Sequence, residues 1–196
     1  MYRKQMKLQR IICIMLLAAS VLAFLYALGY MTDVYDMIYK LRDSKKTPEI
    51  KQFLSDMDLF NRDLVRAGIG MILVSLTLFL TNTHIRRKYY VGNYAATALS
   101  AGAAIAFSAW AHNLIADFKA QYLSGIIDFE EVKAWADRRT QEGGTSVYTD
   151  STFWFDIHYL VFGILLLAAI LLILNAIWKS MLMKREKNAL SATEEV

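Results

Sequence analysis

A chain of 196 residues that is 56% hydrophobic carries more apolar side chain than a soluble domain of this length places in a core. The surplus has to lie in lipid, which excludes a pair of folded soluble domains. The single cysteine, Cys13, excludes an intrachain disulfide, a cysteine-based zinc cluster and a CxxC redox pair. The net charge of +4 does not indicate nucleic acid, because the basic residues are not gathered on one soluble face.

One proline and nine glycines leave long uninterrupted helices permitted nearly everywhere. A bilayer core is crossed by about 20 apolar residues in a helix. The first run of that kind, Ile11–Tyr30, is uncharged. Val34, Ile38 and Leu41 continue its periodicity, so the helix is expected to extend beyond the membrane before the charged turn at Lys40, Arg42, Lys45 and Lys46. Met1–Tyr30 has the basic start of a signal peptide, but its apolar run exceeds the roughly 7 to 15 residues usual there and no clear small-x-small site precedes a polar start, so it reads as a retained span.

Thr47 and Pro48 form a helix start, with threonine able to cap and proline at the first helical turn. Ile50, Phe53, Leu54, Met57 and Phe60 then recur at helical spacing, giving an amphipathic helix that runs toward the second span, about 67–83. The connection from Asn82 to Lys88 is too short to recross a membrane, so the second and third spans form an antiparallel hairpin.

The third span, about 91–113, is made of small residues. Of the 17 residues from Ala95 to Ala111, 12 are Ala, Gly or Ser, including the series Ala98, Gly102, Ala106 and the series Ser100, Ala104, Ser108. Small residues four apart let helix backbones approach in lipid, so this span is expected to be the central packing element. Gly68, Gly70 and Gly163 are further candidates for close contact. Past this span, Asp128 and Glu131 form a candidate capping pair for a short helix with Phe129, Val132, Trp135 and Ala136 on one face, ended by Gly143 and Gly144. Thr149, Asp150 and Ser151 are candidate caps for the last helix. Its span, about 157–178, is dominated between Leu160 and Leu174 by Leu and Ile, which suits a wall facing lipid.

Orientation follows from the basic residues of short loops, which stay on the cytoplasmic side. The N-terminal segment, the hairpin and the C-terminal tail hold 11 basic residues and three acids, whereas segments 31–66 and 114–156 hold 11 basic residues and 15 acids. Tyr26, Tyr30, Tyr89, Tyr90, Trp110, Trp154 and Trp178 fall near span ends, where amphipathic rings prefer the interface. The expected architecture is an all-α integral membrane protein: a four-transmembrane-helix bundle, one membrane domain over 1–196, with a small helical extracytoplasmic cap and both termini cytoplasmic. With no cysteine pairs and no targeting presequence, a bacterial-type plasma membrane is the expected setting. Two long outer segments around a short inner hairpin resemble claudin-like and tetraspanin-like proteins in outline, but the paired cysteines of those families are missing.

Chemistry-bearing side chains gather near the outer ends of the third and fourth spans: His112, Asn113, Asp117, Asp156 and His158. Ionisable groups at membrane depth often mark ion paths, proton relays or metals. Helical angles argue against a preformed site, because His112 and Asp117 lie about 140° apart around one helix and Asp156 and His158 about 200° apart around the other. Interfacial anchoring or hydrogen bonding between helices is therefore the expected role, as it is for Asn175 near the inner end. His84 reads as a loop residue. No GxGxxG, Walker A, HExxH or GxSxG pattern occurs. No cofactor, resident metal or nucleic-acid partner is expected. The leading expectation is a noncatalytic accessory or scaffold subunit, acting on a membrane-protein partner or a second copy through helix packing and its cap. A small oligomeric transporter or channel is the alternative, and a membrane metalloenzyme using His112 and His158 a third reading.

Overall fold

The computed structural model describes residues 2–39, 46–82, 90–128, 130, 134, 137–138, 141–143 and 152–194. Four long helices dominate these residues: α1 (Tyr2–Tyr39), α2 (Pro48–Asn82), α3 (Tyr90–Leu123) and α4 (Phe153–Glu194). All four are long and apolar enough to cross a membrane. The shortest, α3, has 34 residues, which at 1.5 Å per residue is about 51 Å, well beyond the hydrocarbon thickness of a bilayer.

The excess length has a local origin. The α1 helix continues past Tyr30 to Tyr39, as the periodicity of Val34 and Ile38 predicts. The amphipathic stretch after Pro48 is the first part of α2 itself, because no breaker stands between Phe60 and Ala67. Thr47 caps it: the Ile50 amide donates to Thr47 Oγ1 at 3.3 Å, satisfying an orphan donor of the first turn. Ile50, Phe53, Met57, Phe60 and Leu64 are buried along one face. The opposite face carries exposed pairs at helical spacing, Gln52 with Asp56, Arg62 with Asp58 and Arg66 with Asp63. At its far end α3 stops at Leu123, and Gly125 takes a φ of +86°, a conformation glycine reaches without penalty. Ile127 then folds back into the buried interior.

Neighbouring helices run antiparallel and touch in a ring, α1 against α2 and α4, and α3 against α2 and α4; the α2–α3 contact is the smallest of the four. Gly68 lets α2 approach α1 so closely that a Cβ there would stand 3.2 Å from the Phe24 Cα. A Cβ at Gly70 or Gly163 would meet nothing within 4 Å, so those two glycines make no close approach. Gly29 does, and it is less visible in sequence: it seats the Trp154 ring of α4, whose atoms would lie 2.9 Å from an added Cβ.

Aromatic rings fill the half of the molecule near Gly29. Tyr30 packs edge-on against Phe60 and Phe155, and Phe60 in turn meets Trp110 and Phe118, so rings from all four helices are joined. Tyr26 and Tyr30, whose position near a span end suggests an interfacial role, turn inward to other helices. Both are buried, because α2 and α4 continue alongside α1 at that level. Tyr26 donates its hydroxyl hydrogen to the Trp154 carbonyl at 2.9 Å, tying α1 to the start of α4.

Exposed large apolar side chains lie on every helix, among them Ile11, Leu28, Leu73, Leu99, Leu160 and Ile177. In water such an array is a liability, whereas in hydrocarbon it costs nothing. The short helix expected over Asp128 to Ala136 falls mostly outside the described residues, as do His84, Tyr89, Gly144, Thr149, Asp150 and Ser151. Gly143 is described, with a φ of +80° that suits a helix terminator.

Candidate functional site

Among the described residues, two groups of polar side chains join the helices, one about the middle of α4 and one near its start. The first lies at the end that carries the chain termini. Gln5 and Gln9 follow one another at a spacing of four on α1, which places both amides on the face turned to α4, and both are buried. Gln5 Nε2 donates to Asn175 Oδ1 at 3.3 Å, Asn175 Nδ2 donates to Gln9 Oε1, and Gln9 Nε2 reaches Cys13 Sγ at 3.7 Å. Asn175 thus bonds to a neighbouring helix, one of the two roles its position suggests. Its glutamine partners precede the first apolar run and carry no signal of burial beyond their spacing. At the same end Asn82 Nδ2 donates to the Asn93 carbonyl at 3.4 Å and lies 3.5 Å from Thr97 Oγ1, joining α2 to α3. Lys179 lies 5.7 Å from the centre of the Tyr94 ring, joining α3 to α4.

The second group stands at the opposite end, on the seam between α3 and α4. His112 Nδ1 and His158 Nε2 are 2.9 Å apart, and His158 Nδ1 also bonds to the Phe155 carbonyl on the preceding turn. His158 is buried and His112 half-buried. The Tyr159 ring lies beside both imidazoles, edge-on to His112 at 5.3 Å and tilted against His158 at 4.1 Å between ring centres.

Toward the end of the seam, Lys119 Nζ and Asp156 Oδ1 form an ion pair at 2.5 Å, and Thr152 Oγ1 donates to Asp156 Oδ2 at 2.5 Å. Thr152 immediately precedes α4, and its carbonyl accepts the Asp156 amide at 2.9 Å. The residue at the helix start is thus Thr152, one position beyond the candidate caps at Thr149 to Ser151.

Of the five residues singled out in the sequence, His112, His158 and Asp156 meet partners across this seam. Asn113 and Asp117 are exposed on α3 and join neither cluster. Angles around a single helix are a sound test of whether two residues on that helix converge, and neither pair does. They say nothing of a pair drawn from two antiparallel helices, which is how the histidines meet. Lys119 was legible only as a cation beyond the third span. Among the described residues no three His, Cys, Asp or Glu side chains are grouped so as to hold a metal ion.

The small residues of α3 divide between two surfaces. Ser100, Ala104 and Ser108 are buried, together with Ala101 and Ala111, and face the interior. Ala98, Gly102 and Ala106 are exposed, along with Ala95 and Ala109, and run as a shallow track between the projecting side chains of Leu99 and Ile105. A Cβ added at Gly102 would meet nothing within 4 Å.

No protein-family model, curated protein or solved structure matches the chain.

Proposed function

We propose that the chain is a multi-pass plasma-membrane protein, of bacterial type and with both termini cytoplasmic, that acts as a noncatalytic accessory or scaffold subunit by seating another transmembrane helix on the outer track of α3. The observation that carries this reading is the exposure of Ala98, Gly102 and Ala106 while the second small series of the same helix is spent on internal packing. Helices in lipid gain little by burying Leu against Leu, since lipid tails already supply that contact. They gain by close backbone approach, which an Ala-Gly-Ala track four residues apart permits.

The orientation rests on the lysine and arginine bias of the termini and hairpin. The segments between α1 and α2 and between α3 and α4 then form the extracytoplasmic cap, a second surface for a partner. Purification from native membranes in several gentle detergents, with mass analysis of the intact particle, tests the reading. A complex, with a second copy or a different membrane protein, is expected. A chain recovered alone and monomeric under all conditions contradicts it, and solute or ion flux through reconstituted vesicles would favour the transporter reading instead.

A further inference from the structure

The seam between α3 and α4 has a chemical property that does not depend on the partner reading. A carbonyl oxygen only accepts, so the bond from His158 Nδ1 to the Phe155 carbonyl requires that Nδ1 carry the hydrogen. A neutral His158 then has a bare Nε2, which can only accept. The 2.9 Å contact between His158 Nε2 and His112 Nδ1 therefore requires the hydrogen on His112 Nδ1. The chain of two bonds fixes both tautomers and leaves one imidazole nitrogen of the pair, His112 Nε2, with a lone pair not used within it.

We infer that His112 Nε2 is a proton-binding site at the α3–α4 seam, with His158 as its positioning residue. A proton taken from water adds to the Nε2 lone pair, and the charge of the resulting imidazolium strengthens the existing Nδ1–H bond to His158 rather than breaking it. A second proton has no comparable place. It would have to enter at His158 Nε2, turning an acceptor into a donor that faces another donor and setting two cations with nitrogens 2.9 Å apart. The pair is thus a one-proton unit. The same bonds argue against His158 as a metal ligand, since both of its nitrogens are engaged.

The groups around the pair fit this role. Among the described residues, Lys119 on α3 and Asp156 on α4 are the charges that act on His158 besides His112, and they are paired with each other, so they oppose one another's field. Tyr159 lies against both rings, and Tyr30 of α1 and Tyr122 of α3 reach the Phe155 ring beside the seam. In the proposed topology this end faces outward, and the site would respond to acidity outside the cell.

The test is nitrogen-15 histidine NMR of the full chain in lipid nanodiscs, in a His84→Gln background so that two imidazoles remain. Above neutral pH both are expected to carry hydrogen on Nδ1. Acidification is expected to add one proton, at His112 Nε2, with His158 still neutral. A neutral His112 or His158 protonated on Nε2, or two histidines that charge together, would overturn the inference. In His158→Phe, His112 is expected to lose its fixed tautomer, and an unchanged tautomer there contradicts the positioning role of His158. Should that variant not fold, His112→Phe serves: His158 must keep its Nδ1 hydrogen, held by the Phe155 carbonyl, and its loss would overturn the assignment.

Discussion

The two small-residue series of α3 differ by only two positions in sequence and yet lie on different surfaces. Ser100, Ala104 and Ser108 are buried between helices, where their size sets how closely α3 meets its neighbours. Ala98, Gly102 and Ala106 are smaller still and have the same spacing but are exposed. A two-residue offset is about 200° around a helix, so one sequence pattern necessarily supplies both an internal seam and an external track. Small-residue spacing in a membrane helix therefore marks a capacity for close approach, and only the fold tells which series has already used it.

Enlarging one residue from each series separates them, with the inner face giving the largest effect. Ala104→Leu inserts three carbons where no space exists and should destabilise the fold by about 3 kcal/mol, the upper part of the usual range for overpacking, read as a lower midpoint of thermal unfolding in detergent. Gly68→Val on α2 is the equivalent test at the α1–α2 contact. Its Cβ would press on the Phe24 backbone, and a loss of about 2 kcal/mol is expected in the same assay. Thr47→Ala touches neither series. It removes the cap bond to the Ile50 amide and should cost about 1 kcal/mol, a scale against which the packing effects can be judged. At the bottom of the order stands Gly102→Leu on the outer track, expected to change unfolding by under about 1 kcal/mol because no atom stands within 4 Å of the new Cβ and leucine favours a helix more than glycine does.

Much of the fold was legible before any coordinates. The four apolar runs, the Thr47–Pro48 helix start and the continuation of α1 past Tyr30 follow from rules that act within a few residues. What was hidden depends on which helix lies beside which. Gln5 and Gln9 look like the polar lead-in to a span, and only α4 alongside them makes them buried partners of Asn175. Gly29 is ordinary until Trp154 is brought over it. His112 and His158 sit 46 positions apart, and helix periodicity cannot register one helix against another. The burial of Tyr26 and Tyr30 was hidden for the same reason, since it follows from α2 and α4 reaching past the expected span ends. The segment between α3 and α4 was partly readable, in that Gly143 takes the positive φ of a helix terminator while Thr152 stands at the start of α4.

The central claim is that the outer track of α3 is a docking surface, and the sharpest measurement compares two exposed glycines. Gly102 lies on that track, whereas Gly163 lies on α4 among the projecting Leu160, Leu167 and Ile170, and an added Cβ meets nothing at either position. The complex isolated from native membranes should be measured by particle mass for the unaltered chain, Gly102→Leu and Gly163→Leu. The account predicts that Gly102→Leu releases the partner, at least tenfold by recovered complex, or about 1.4 kcal/mol, while Gly163→Leu retains it. A complex that survives Gly102→Leu unchanged, or that is lost equally in both variants, would contradict it.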